Sequence, residues 1–137
     1  MNHWLVKSEP ETWSWDQQVA AGTTEWDGVR NAQAQNNMKQ MRKGDRVLFY
    51  HSGKQKAVVG IAKVARAAYP DPADGTGKYV LVDLKAVEPL AEPVTLKAIK
   101  GEAKLGHLAL VRQPRLSVME VDEPAYKRIC GMGGVKG

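Results

Sequence analysis

Three β-rich runs follow one another in the middle of the chain, at positions 46–51, 56–68 and 78–88. Between them lie only turn-forming segments, the longer one running from Tyr69-Pro70-Asp71-Pro72 to Gly75-Thr76-Gly77. A parallel crossover needs a dozen or more residues and usually a helix, so consecutive runs this close must pair as antiparallel neighbours. An alternating βαβ layout is thereby excluded, and the class is α+β. Gly60 interrupts the second run, where a bulge or bend helps the strand curl toward a partly closed barrel. In the third run Tyr79, Leu81 and Asp83 face one side and Val80, Val82 and Leu84 the other, until Pro89 ends it.

Short elements flank this centre. Positions 3–7 read as a first strand, stopped by Pro10. Thr12 is placed to cap a helix over 13–21, with Trp15 and Val19 on its inner face and Gly22 closing it. Positions 23–26 are extended, Gly28 allows a turn, and Asn31 caps a helix reaching Met41. Ala34, Met38 and Met41 form the inward stripe of that helix, with Gln33, Gln35, Asn36, Asn37, Lys39 and Gln40 off it. Thr95 caps a short helix over 95–100, 116–121 is a last strand, and 123–130 a final helix with Pro124 at its first position. The glycine-rich end, Gly131 to Gly134, reads as a frayed tail. With 137 residues and no linker or repeat, 1–137 is expected to be a single domain.

Charge is uneven. From Arg30 to Arg66 there are nine basic residues and one acid, Asp45, whereas the rest of the chain holds eleven bases against fourteen acids. A basic section on an otherwise mildly acidic protein fits a polyanion, nucleic acid first, or else a solvated helix face and hairpin. The lone Cys130 excludes an internal disulfide and suits a reducing setting. No apolar run reaches membrane-spanning length and the start lacks the pattern of a secretory leader, so a soluble, cytoplasmic protein is expected, with no membrane partner.

Several chemistries fail on spacing. Gly75-Thr76-Gly77-Lys78 resembles a piece of a phosphate loop, but Pro72 stands where the first glycine belongs and Tyr79 where Ser or Thr must follow the lysine. His3, His51 and His107 have no partner at metal-ligand spacing. Ser52 and His51 are strand neighbours and point to opposite faces, which denies them a nucleophile-base contact. Glu9 and Glu11 are the one candidate acid pair. Cys130 reads as a small buried hydrophobe on the last helix.

All four tryptophans lie within the first 26 residues. Trp4 and Trp15 are most simply core. Trp26 precedes Asp27-Gly28-Val29-Arg30-Asn31, a polar turn at a helix entrance. A flat aromatic beside amide donors and a guanidinium suits an extruded base, and it suits a core tryptophan equally well. Arg30 and Arg115 are read as pairing with carboxylates such as Asp27 or Asp83, and Lys7-Ser8-Glu9, by itself, as a strand end with an ordinary turn.

Taken together, ordered blocks along nearly the whole chain resemble the EVE domain, a member of the PUA-like superfamily with the YTH and ASCH domains. They are Trp4-Leu5-Val6-Lys7-Ser8-Glu9-Pro10, Trp26-Asp27-Gly28-Val29-Arg30-Asn31 with Ala34, Asn36-Asn37 and Met41, Gly44-Asp45, Phe49-Tyr50-His51-Ser52, Gly60-Ile61-Ala62, Ala68 to Pro72, Val94-Thr95-Leu96-Lys97 and Arg115-Leu116-Ser117-Val118. The resemblance implies a strongly curved, mostly antiparallel β-barrel of five to six strands ringed by short helices. It also implies a non-catalytic module that binds DNA or RNA and accepts a modified cytosine or adenine in an aromatic and polar pocket, without a cofactor or metal. On that resemblance Trp26 is the stacking wall. Lys7, Ser8, Gly28, Val29, Arg30, Asn31, Asn36, Tyr50, His51 and Ser52 join it at the base, while Lys39, Arg42 and Lys43 contact the backbone. Gln35 stands where many members carry arginine, removing a potential phosphate contact, and Tyr79 where many carry tryptophan. A sensor of a free nucleoside or other flat small molecule is the alternative, with an ASCH-like enzyme using Lys7 or Glu9 behind it.

Overall fold

The structure, a computed structural model, describes all residues from Met1 to Gly137. Six strands, β1 (His3–Ser8), β2 (Thr23–Trp26), β3 (Arg46–His51), β4 (Ala57–Pro70), β5 (Val80–Thr95) and β6 (Val118–Val121), form one sheet in the order β2-β5-β4-β3-β1-β6. Only β1 and β3 run parallel, because α1 (Trp15–Ala21), β2 and α2 (Ala32–Gln40) intervene between them; every other pair is antiparallel. The fold is α+β, and the expected curved, mostly antiparallel barrel is present as a strongly curled sheet that does not close. No helix is long and apolar enough to cross a membrane.

Curl comes from the long β4–β5 ribbon, whose register shifts at four places, since each bulge adds local twist. Gly60 sits at one of them for a steric reason. A β-carbon there would lie 2.5 Å from the indole of Trp15, so α1 presses its tryptophan directly onto bare backbone. The helix begins at Trp15 rather than Trp13: Ser14 and Gln17 form a reciprocal capping box, displacing the expected Thr12 cap. Its inner face is Trp15 and Gln18, while Val19 is exposed. Gln18 tolerates full burial because its amide donates to the carbonyls of Leu84 and Gly22 and accepts from the Trp13 indole N–H.

Asn31 caps α2 as expected, through the Ala34 N–H. This helix lies across the mouth of the curled sheet, packing on β6 from one side and on β4 and β5 from the other. Asp45, the acid within the basic section, faces inward. Its carboxylate accepts from the Trp4 indole N–H and from the backbone N–H groups of Asn2 and Arg42.

Two further expectations are corrected. Pro89 does not end β5; it lies opposite Gly60, where β5 has only β4 beside it and no second neighbour needs the missing N–H. The final helix, α5 (Glu123–Met132), continues into a docked end: Gly133 accepts from Glu92 N and packs so tightly on Leu90 that a β-carbon would approach within 2.8 Å. The segment between α3 (Leu96–Lys100) and β6 carries a single 3₁₀ turn over Ala103–Leu105 and a short helix, α4 (Ala109–Arg112), which seat Leu105 and Leu110 in the core.

Candidate functional site

A cleft of about 690 Å³ opens where the curled sheet fails to close. One wall is the end of β1 and the turn after it, with Lys7, Ser8, Glu9, Thr12 and Trp13, joined by Ser117 just before β6. The other wall is the edge strand β2, Thr23 to Trp26, and the segment Asp27-Gly28-Val29. The site therefore joins two edges of a sheet that the chain order keeps far apart.

Pairing parity adds backbone groups to the second wall. Ala86 N donates to Gly22 O, so Gly22, Thr24 and Trp26 exchange hydrogen bonds with β5. Thr23 and Glu25, alternating with them, turn their N–H and C=O toward the open edge. Gly28, at φ +75°, bends the chain away from β2 and toward α2.

Trp26 is a core residue that also borders the cleft. It is 7% exposed and stands edge-on to Phe49, ring centroids 5.6 Å apart, while its remaining surface faces the cleft. Trp13, half-buried, is held by its indole N–H on Gln18 and by its carbonyl, which accepts the Ser8 hydroxyl. Lys7 reaches across to donate its ammonium to Pro114 O at 2.8 Å, with Nζ 5.7 Å from the centre of the Tyr50 ring. Burial holds the Lys7 ammonium below its ordinary pKa range, and no carboxylate pairs with it. Around it the lining contributes three carboxylates, Glu9, Glu25 and Asp27. No three His, Cys, Asp or Glu side chains gather anywhere in a metal-holding group.

Residues 2–132 match the model of the EVE domain. This chain belongs to the EVE family. Its fold is shared with the solved structure of Rpa0253 from Rhodopseudomonas palustris, at 53% identity and a TM-score of 0.94, over 98% of this chain and 94% of that one. The crystal structure of human THYN1 protein in complex with 5-methylcytosine-containing DNA is 27% identical, with a TM-score of 0.91, and each chain is covered over its full length. Thymocyte nuclear protein 1 of Rattus norvegicus is 30% identical over 96% of this chain and 73% of its own length.

In this EVE domain, five of the residues expected at the base lie on the cleft wall: Lys7, Ser8, Trp26, Gly28 and Val29. The others lie elsewhere. Arg30 leaves the cleft to stack on the Tyr79 ring, 4.4 Å from its centre, and to pair with Asp71 at 3.7 Å, not with Asp27 or Asp83. Arg115 pairs with no carboxylate at all. Asn31 is a helix cap and Asn36 is solvent-exposed on α2. Tyr50 is buried under Lys7, and burial raises its phenol pKa. His51 is also buried, its Nε2 accepting from Trp15 N and its Nδ1 bonded to Gln55, which anchors the start of α1. Ser52 faces Glu9 behind the wall. Lys39, Arg42 and Lys43 are exposed at and just beyond the far end of α2, roughly 13 Å along the helix from its start beside the cleft.

Two features were missed by the sequence reading. Gln35 is not a surface residue: it is buried, donating to the carbonyls of Val29 and Val80 and accepting from Val80 N. Glu25, Asp27, Thr23, Thr24 and Ser117 belong to the site. The alternation of β2 carried a signal for Glu25, but nothing local brings Ser117 to it.

Proposed function

We propose that this EVE domain binds nucleic acid through its basic section and holds one modified base in the cleft without transforming it. The observation that carries this reading is the composition of the cleft: two indoles, Trp13 and Trp26, among carboxylates and hydroxyls, with a single ammonium. Indoles suit the faces of a flat heterocycle, and stacking of that kind contributes about 1–3 kcal/mol per base. Carboxylates accept from an exocyclic amino group such as that of cytosine or adenine, and they repel phosphate. Base and backbone are thereby sorted, the base into the acidic cleft and the phosphates onto Lys39, Arg42 and Lys43 outside it. The full-length likeness to human THYN1 protein, solved with 5-methylcytosine-containing DNA, supports the coarser part of this reading, a nucleic-acid partner that carries a modified base. A binding role is also consistent with Lys7 and Ser8 being committed to backbone carbonyls, which leaves neither poised for proton transfer.

The test is a titration of DNA and RNA oligonucleotides, each with and without a methylated cytosine or adenine, at two salt concentrations. A preference for a modified strand should persist at both salts, and Glu25→Gln with Asp27→Asn should reduce it about tenfold, equivalent to about 1.4 kcal/mol. Equal affinity for every modified and unmodified strand would overturn the reading.

A further inference from the structure

A second, smaller cavity of about 360 Å³ adjoins the cleft, lined by Asn31, Gln33, Gln113, Pro114, Arg115 and Leu116. Their linings are near neighbours along the chain. Ser117 lines the first and Leu116 the second; Val29 lines the first and Asn31 the second. Lys7 ties them physically, since its ammonium, in the first cavity, donates to the Pro114 carbonyl in the wall of the next.

Their chemistry differs. The first lining holds three carboxylates, whereas the second holds none and includes Arg115, a guanidinium with no carboxylate partner in the chain. Three amide side chains surround it, and the Asn31 oxygen is occupied by Ala34 N, leaving its Nδ2 donors free. Leu116 forms a buried apolar floor. An apolar floor with an amide rim and one free guanidinium suits a nucleobase face, a base edge and a phosphate respectively.

Resting on the function proposed above, we infer that this cavity is a second subsite, which takes the nucleotide adjoining the modified one. The phosphate linking the two is excluded from the acidic cleft and lies toward Arg115. Base recognition is then shared between two sites of unlike charge, and the fold reads a dinucleotide step rather than an isolated base.

Calorimetric titration separates the two claims. The ligands are 5-methyldeoxycytidine and N6-methyldeoxyadenosine, each alone and each joined to thymidine on its 5′ or 3′ side. They are added to the unaltered protein and to the Gln113→Ala, Arg115→Ala double variant, whose thermal midpoint should be unchanged because both side chains are exposed. At least one dinucleotide should bind the unaltered protein about tenfold tighter than its nucleoside. That gain should vanish in the variant, while nucleoside affinity stays the same. Failure of both nucleosides to bind the unaltered protein would sink the base-cleft reading itself. Nucleoside binding with no gain from either neighbour, or a gain that survives in the variant, would overturn the second subsite alone.

Discussion

Gln35 and Asn37 stand two positions apart on α2, about 200° around its axis, and fasten that helix to opposite ends of the sheet. Gln35 bonds Val80 at the start of β5, and Asn37 donates to the carbonyl of Val118 at the start of β6. The helix thus bridges the opening that the strands leave. It also fixes the cleft wall, because Gln35 holds the carbonyl of Val29 as well.

Gln35→Ala should therefore cost about 1–3 kcal/mol of stability, the penalty of stranding buried backbone groups, and should weaken oligonucleotide binding by freeing the segment after Trp26. Asn37→Ala, at a half-buried contact, should cost about 1 kcal/mol. Urea denaturation reads both. A Gln35→Ala protein as stable as the parent would refute the latch.

The contact between Gly60 and Trp15 makes a steric demand of a different kind. Gly60→Ala drives a methyl group into a buried indole and should destabilise by about 1–3 kcal/mol. In a Trp15→Leu background the same change should cost clearly less, because the obstructing ring is gone. Equal costs in the two backgrounds would mean that the glycine serves the backbone bend alone.

Replacing Lys39, Arg42 and Lys43 with alanine should weaken binding to modified and unmodified strands alike. If all three contact phosphates, the slope of log affinity against log salt should become shallower by roughly 2–3. Loss of the modified-base preference without loss of general affinity would contradict the separation of roles.

His3 is buried against Tyr126, ring centres 4.2 Å apart, and burial lowers its pKa from the ordinary 6.5. As pH falls below that value the unfolded chain takes up the proton before the folded one does, so folding stability drops with the pH. The contribution is full above pH 6.5 and is lost progressively from there toward the lowered pKa. His3→Phe should flatten this part of the profile, measured as the urea midpoint at several values between about pH 5 and 8.

The sequence alone determined the α+β class, since three strands separated only by turns admit no crossover helices. It also located the helix after Asn31, whose cap is a local hydrogen bond, and the concentration of basic residues between Arg30 and Arg66. The resemblance carried by its ordered blocks pointed to the right family. What tertiary structure decided is which polar groups are inside. Gln35 reads as lying off the buried stripe, and nothing local marks Gln18 as buried, because a glutamine is buried only where partners await it, and those partners, Val80 and Leu84, are 45 and 66 residues away. Pro89 reads as a strand end because its tolerance depends on having a neighbour on one side only. The cleft is the clearest case: Lys7, Trp26 and Ser117 meet because bulges in β4 and β5 curl the sheet until its two edges face each other. That curl is a long-range property, and no local pattern of residues encodes it.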